Sequence, residues 1–392
     1  MPKFKNSNET FWLIFKQCDC VSTTYVLVLL FYIYSIIFFY LGMCTMLPWN
    51  FLISISAFWN YKFRHIGNET GWSVIETENP IPVVPIIQPT EMQVSFPSYV
   101  AIASNVPGAI TTLLHSGFGQ RVSVCTRMGW ALSLLFVSFC CLLALSTPNS
   151  DLWQEKFLHL VLMLVVLANV GVNVLQGSMF GISGRFPPLY AGAVMMGQAM
   201  GGVVPSLVSI ALISFEVEPC LLGPACFGAI LLLLVLAMGF FHWMKTNPFF
   251  LYFAEGKDNH GVVEDHDAQV DQLCYKAILA KCWTYLLAGY INYSTTLMIF
   301  PALTSTVESM SNTQWSKKFF TPVAVVLLFN GCDLVGRILS TLISWPKRTP
   351  IGKYGFLGIC MLRIGLIPLF MLCNAKPDSR TLPLIIGYEI RN

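Results

Sequence analysis

The stretch Thr321–Ser344, TPVAVVLLFNGCDLVGRILSTLIS, decides the fold. It is apolar over a length that crosses a bilayer, which needs ~20 residues in a helix. In its middle it carries Asp333 and Arg337. Two opposite charges at the depth of the lipid core are costly unless they pair or face a polar cavity. At i,i+4 on a helix they lie on one face within reach of each other. Asn330 stands on the same side, three residues earlier. Two readings stay open and can coexist: a water-filled or ligand-lined pathway, and an ion pair that locks helices together.

The rest of the chain has the same character. Of 392 residues, 55% are hydrophobic and 11% charged, against roughly 25% charge in a soluble domain. Repeated apolar runs of helical-span length predict an all-α polytopic membrane protein, and a β-barrel would instead show alternating segments of about 10 residues. Spans are expected near 31–56, 96–114, 128–147, 157–181, 187–213, 221–243, 277–303, 321–344 and 354–374. These nine helices divide into a six-helix bundle (1–244), a charged cytoplasmic loop (245–276) and a three-helix partial bundle (277–392). Lys and Arg favour the segments that are inside when the N-terminus is cytoplasmic, by about thirteen to seven, which sets that orientation. The polar segment 58–95 then lies outside, and its Asn68-Glu69-Thr70 is an acceptor for N-glycosylation.

Several function classes are excluded or left without support. No glycine loop followed by Lys and Ser/Thr is present, so this chain has no ATP-driven pump motif. No metal pair of histidines shares a helix, no cofactor is implied and no enzyme motif is found. The net charge of +3 gives no reason to expect nucleic acid. The 13 cysteines form no framework and are expected as buried thiols, with Cys220 and Cys226 a weak disulfide candidate.

Polar stripes carry the remaining signal. Asn169, Asn173 and Gln176 share one face of the fourth span, and serve either substrate or interhelical hydrogen bonds. Gly177 with Gly181, and Gly197 with Gly201, have the spacing of close helix packing. Pro48, Pro107, Pro205, Pro301 and Pro368 fall in or near spans and kink helices. Trp49 beside Pro48 is an interfacial anchor or a stacking surface. Arg363 is a third intramembrane charge without a partner on its own helix.

In order along the chain, Leu47-Pro48-Trp49-Asn50-Phe51, Gln120-Arg121 through Arg127, Leu175–Gly181, Tyr190 with Gly197-Gln198, Phe300–Thr304, Phe329-Asn330 with Asp333 and Gly336-Arg337, and Arg363 with Pro368 and Leu372-Cys373-Asn374 resemble the equilibrative nucleoside transporter family. The resemblance implies a major-facilitator-like bundle with a cytoplasmic N-terminus and a glycosylated first outer loop, at home in the plasma membrane. It implies movement of purine and pyrimidine nucleosides, and sometimes nucleobases, down their gradient by alternating access. Position by position it implies Met46, Trp49 and Ile53 beside the base, Gln176 bonded to it, Asp333 with Arg337 on the ribose hydroxyls, and Asn330 near the cavity. The family has eleven helices where nine are expected here, which implies truncation after the ninth. The alternative function is then a transport-inactive isoform that associates with a full-length paralogue.

Overall fold

The computed structural model describes residues 21–65, 90–254, 275–300, 304, 313–343 and 349–373. Among them the regular structure is helical, and the described part of each of the nine expected spans is largely helical. In order these are α1 (Val21–Ser54), a short α2 (Ser56–Lys62), α3 (Glu91–Phe118), α4 (Val124–Ser146), α5 (Gln154–Ser183), α6 (Pro188–Ser214), α7 (Pro219–Thr246), a short α8 (Pro248–Ala254), α9 (Tyr275–Met298), α10 (Gln314–Phe319), α11 (Leu328–Leu342), α12 (Pro350–Leu362) and α13 (Leu366–Cys373). A π-helical stretch, Phe320–Leu327, joins α10 to α11. Among the described residues seven helical segments are long and apolar enough to cross a membrane. The other two expected spans lie in α3 and α9, which are helical over their described residues. Asn68 and most of the two charged loops lie outside the described residues.

Helix ends follow the local sequence. Thr90 and Gln93 form a reciprocal capping box at the start of α3, satisfying two backbone donors at once. The same two side chains reach back to α2, Thr90 Oγ1 donating to the Phe63 carbonyl (2.7 Å) and Gln93 Nε2 to that of Asn60 (2.7 Å). Ser123 caps α4 and Thr349 caps α12. α6, α7 and α12 open with proline in the first turn, where its missing N–H costs nothing.

The chain forms two compact units. The first falls within Met1–His260 together with Asn330–Arg337, and the second within Gly261–Phe329 and Ile338–Asn392. In the first, α1 lies along α6 in the most extensive helix contact of the molecule, and α4 packs on both α5 and α7. In the second, α9 packs on α12.

Small residues decide the α1–α6 contact. A Cβ at Gly197 would stand 1.9 Å from the Phe39 carbonyl oxygen, one at Gly42 2.5 Å from that of Val194, and one at Gly201 2.7 Å from that of Met43. Only glycine permits this approach. The Gly177/Gly181 pair behaves differently. A Cβ at Gly177 would stand 2.7 Å from the His115 ring, while one at Gly181 would meet nothing within 4 Å, so only the first is a packing position.

Aromatic clusters close both ends of the first unit. Phe38, Phe186 and Tyr190 meet edge-on or tilted, and α8 adds Phe253, 4.5 Å from Phe186 between centroids. At the other end Trp59 lies 4.7 Å from Phe96 and donates its Nε1–H to the Leu52 carbonyl. Lys62 is buried there, its ammonium bonded to the Pro148 carbonyl (2.7 Å) and set between the Phe58 and Phe157 rings. Burial holds this amine below the ordinary lysine pKa, with nearby Asp151 opposing the shift. Asp151 itself pairs with Arg64 at 2.7 Å.

The disulfide candidate is corrected: Cys220 and Cys226 are both free thiols, six residues apart on α7 and so more than a turn from each other. The expectation of buried thiols holds for Cys44, Cys226 and Cys360, whereas Cys141, Cys282 and Cys332 are exposed.

The glycine contact gives a direct test. Gly197→Leu should abolish the folded, monodisperse protein in detergent, because overpacking against backbone has no side chain that can yield. Gly228→Ala, where an added Cβ meets nothing within 4 Å, should leave the melting temperature within about 1 °C, a shift that corresponds to under about 1 kcal/mol. Size-exclusion profiles and thermal melts of the two variants check this.

Candidate functional site

α1 runs unbroken through Pro48, whose missing N–H leaves the Cys44 carbonyl without its helical donor. Around the proline, side chains repair the backbone: Asn50 Nδ2 donates to the Met46 carbonyl (2.9 Å) and Thr45 Oγ1 to that of Gly42 (2.7 Å). Gln198 of α6 in turn donates to Thr45 Oγ1 (3.3 Å). On this helix Cys44, Leu47, Phe51 and Leu52 are fully buried. Met46, Trp49 and Ile53 are only half-buried. Their spacing puts them on one helical face, so α1 presents there a thioether, an indole and a branched aliphatic side chain, with Met46 bordering Gly201 of α6 and Trp49 partly packed on the core.

α11 brings the polar face that its sequence implies. Arg337 Nε donates to Asp333 Oδ2 at 2.9 Å, and Arg337 also donates to the Met195 carbonyl of α6 at 3.2 Å. The side chains remain 41% (Asp333) and 23% (Arg337) exposed. Asp333 thus spends one oxygen on its partner, and Oδ1 makes no bond among the described residues. Ion pairing inside one helix leaves the pair electrically neutral while its rim stays open.

Asn330 is placed otherwise. It is 8% exposed and donates to Ser206 Oγ on α6 at 3.1 Å. A Cβ at Gly202 would stand 2.3 Å from its Oδ1, so Gly202 makes the seat into which this amide fits. Ser206 Oγ donates onward to the Gly202 carbonyl (2.8 Å). Asn330 therefore docks α11 on α6, one turn from the charged pair.

The stripe on α5 is divided. Asn169 Nδ2 donates to Ser104 Oγ of α3 (3.1 Å), and Asn173 Oδ1 accepts from Thr112 Oγ1 of the same helix (3.2 Å). His115 and Ser178 continue the line at 3.2 Å. These side chains form a hydrogen-bonded seam between α3 and α5, which decides the open question for Asn169 and Asn173 in favour of interhelical bonding. Gln176 is half-buried and has no hydrogen bond among the described residues, so its amide remains available.

Sequence reasoning missed Ser206, Gly202 and the Met195 carbonyl as the partners of α11. Gly202 and Ser206 stand i,i+4 on α6 and so share a face, but nothing in that spacing names Asn330 as the residue they receive. It also missed Ser104, Thr112 and Ser178, whose small hydroxyls in apolar runs read as neutral.

A family model described as "Nucleoside transporter" matches residues 162–390, more than half of the chain. Equilibrative nucleoside transporter 3 of Rattus norvegicus is 27% identical, over 91% of this chain and 76% of that protein. Equilibrative nucleoside transporter 1 of the same species is also 27% identical, over 91% of this chain and 83% of its own length. Equilibrative nucleoside transporter 2 of Homo sapiens is 26% identical over 92% and 84% respectively.

Two expectations separate the roles. Ser206→Ala leaves the Asn330 amide buried without its acceptor and should cost about 1–3 kcal/mol. Asn330→Ala with Ser206→Ala should cost less than the sum of the single changes, and thermal melts of the cycle measure it. Asn173→Leu, on the seam, should lower the melting temperature without changing substrate affinity more than about twofold, a difference of under 1 kcal/mol.

Proposed function

The chain belongs to the nucleoside transporter family, and we propose that it carries nucleosides across a membrane by facilitative, equilibrative transport with alternating access. The observation that carries the reading is the Asp333–Arg337 pair, neutral as a unit, partly open and set within the candidate span Phe320–Leu342. A nucleoside is a neutral solute with vicinal hydroxyls, a flat apolar face and a hydrogen-bonding edge. Each part has a chemical counterpart in the first unit.

The ribose hydroxyls donate to the Asp333 carboxylate, and Arg337 holds that carboxylate in place while donating to a hydroxyl oxygen. The base lies against Met46, Trp49 and Ile53. An indole and a thioether suit a planar π face, and neither distinguishes purine from pyrimidine. Gln176, with both an acceptor oxygen and two N–H donors, reads the edge of the base. Asn330 acts from its buried seat by keeping α11 against α6. Nucleobases lack the ribose that the charged pair holds and belong to the weaker substrates on this reading. Placement in the plasma membrane, a cytoplasmic N-terminus and glycosylation at Asn68 complete the proposal. The extensive match to transporters favours transport by the chain over a purely regulatory role.

The test is uptake of labelled uridine and adenosine in transporter-deficient cells at matched surface expression. Saturable uptake above vector is expected. Asp333→Asn should weaken uridine by about 10–100-fold, the size of a lost hydrogen bond to a charged group, and should leave 2′,3′-dideoxyuridine nearly unchanged. Surface protein with vector-level uptake would sink the reading. Equal losses for both substrates would remove the ribose assignment.

A further inference from the structure

The first unit holds a cavity to which none of the residues assigned to the nucleoside contributes. It measures about 870 Å³ and lies where α3 and α5 begin, beside the residues that follow α2. Sites for drug-sized organic molecules run roughly 300–1,000 Å³. With the proposed cytoplasmic N-terminus this is the outer end of the unit. The apolar lining is Met92 and Tyr99 of α3 with Leu158 and Leu162 of α5. Tyr99 is half-exposed, and a ring beside a thioether suits an aromatic or branched apolar body.

The polar lining is unbalanced. Its donors are engaged elsewhere: Arg64 with Asp151 (2.7 Å) and the Tyr61 carbonyl (2.8 Å), Gln154 Nε2 with the Lys62 and Arg64 carbonyls (3.0 Å each), and Thr90 Oγ1 with the Phe63 carbonyl. Its acceptors are not. Glu91 and Glu155 are exposed, and neither carboxylate has an ion pair or hydrogen bond among the described residues. His159 Nδ1 donates to the Glu155 carbonyl (2.7 Å), which leaves Nε2 of the neutral ring as an acceptor. Residues 66–89, which connect α2 to α3, contain Glu69, Glu76 and Glu78 and no Lys, Arg or His. They bring no cation to answer these acids. Glu91 and Glu155 each stand in the first turn of a helix, where the macrodipole offsets about half a charge apiece. Roughly one negative charge is left over.

We infer that this cavity is a second ligand site, separate from the nucleoside site, and that it takes amphipathic organic amines in their protonated form. The ammonium N–H groups donate to Glu91, Glu155 and His159 Nε2. The apolar body lies against Tyr99, Met92 and the two leucines. A carboxylate or phosphate ligand meets few available donors there and an excess of negative charge. A divalent cation is not the occupant, because no three ligating side chains come together among the described residues. Occupancy of the cavity does not depend on transport by the chain.

The experiment is calorimetric titration of the full chain in phosphatidylcholine nanodiscs, with empty nanodiscs subtracted. The probes are 4,4-diphenylbutylamine, a cation at neutral pH, its neutral analogue 4,4-diphenylbutan-1-ol, and the anion 4,4-diphenylbutanoate. The amine should bind at least about tenfold tighter than the alcohol, as hydrogen bonds to charged groups require, and the anion should bind most weakly. Glu91→Gln combined with Glu155→Gln should erase that preference and leave the alcohol within about twofold. Tyr99→Ala should weaken amine and alcohol alike. Asp333→Asn should leave the amine within about twofold.

An amine bound no tighter than the alcohol would overturn the inference, and so would a preference that survives the double variant. A preference lost in Asp333→Asn would do the same, since it would put the amine at the nucleoside site. Amine affinity unmoved by Tyr99→Ala would take the apolar body out of the cavity and refute the proposal. Should the double variant not stay monodisperse, Glu155→Gln alone should lose at least about threefold of the preference, and an unaltered ratio would count against the site. Titration reads binding without uptake, so a chain that fails to carry uridine would defeat the transport reading and leave this one standing.

Discussion

The close approach of α1 and α6 is the constraint on which the first unit depends. Lipid tails are as apolar as leucine, so helices in a membrane gain little from hiding apolar surface from each other. What remains is dispersion between well-fitted surfaces, which grows as backbones come together. Gly42, Gly197 and Gly201 let α1 and α6 touch carbonyl to Cα along several turns. Everything assigned to the base and the ribose is hung on that pair. Met46, Trp49 and Ile53 project from α1, and the Met195 carbonyl and Ser206 of α6 receive Arg337 and Asn330. A shift of α1 on α6 would move both sets at once.

Polar groups in the bilayer are sorted by whether a side chain of a neighbouring helix meets them. In the α3–α5 seam the hydroxyls of Ser104 and Thr112 meet the amides of Asn169 and Asn173, and His115 meets Ser178. Such contacts are individually modest in membranes, about 0.6 kcal/mol on average. Their effect is to give each of these side chains a partner on the neighbouring helix. Asn330 is of this kind. Gln176 and Asp333 Oδ1 are of the other kind, with no bond among the described residues. A site for a transported solute needs that remainder, and a packing contact is better without it.

Much of this was legible in the sequence because the bilayer is a severe solvent. Apolar run length located most of the long helices to within about five residues, α1 starting ten residues before its expected span, and the charges of α11 identified its polar face. The bilayer criterion could not rank the polar residues among themselves. Asn169 and Asn330 look as exceptional in the sequence as Gln176, since each is an amide in an apolar run. Whether an amide is satisfied depends on a partner from a distant helix, such as Ser104 or Ser206. A serine in such a run carries almost no signal, being small enough to bond its own helix, as Ser138 does to the Leu134 carbonyl (2.8 Å). The same limit explains Gly181, whose spacing from Gly177 promised packing that no neighbour supplies. Free thiols at Cys220 and Cys226 follow from helix geometry, which two cysteines in one apolar segment do not disclose.

The arrangement of charge accords with movement of a neutral solute down its gradient. Asp333 and Arg337 lie on one helix, so their pairing survives any motion that carries α11 as a rigid rod. Neither partner has to be stripped of the other when the site changes its exposure, and no ion need enter to replace a lost partner. A transporter driven by a coupled cation requires the opposite, a carboxylate whose compensation comes and goes with the cycle. Here compensation is built in through a 2.9 Å bond four residues along the same helix. The Met195 carbonyl adds a further acceptor to the guanidinium without adding charge. On the proposed reading the pair offers a half-exposed carboxylate to vicinal hydroxyls while presenting no net charge to the nucleoside. That combination is what a passive carrier of sugars bearing flat bases requires of its central polar group.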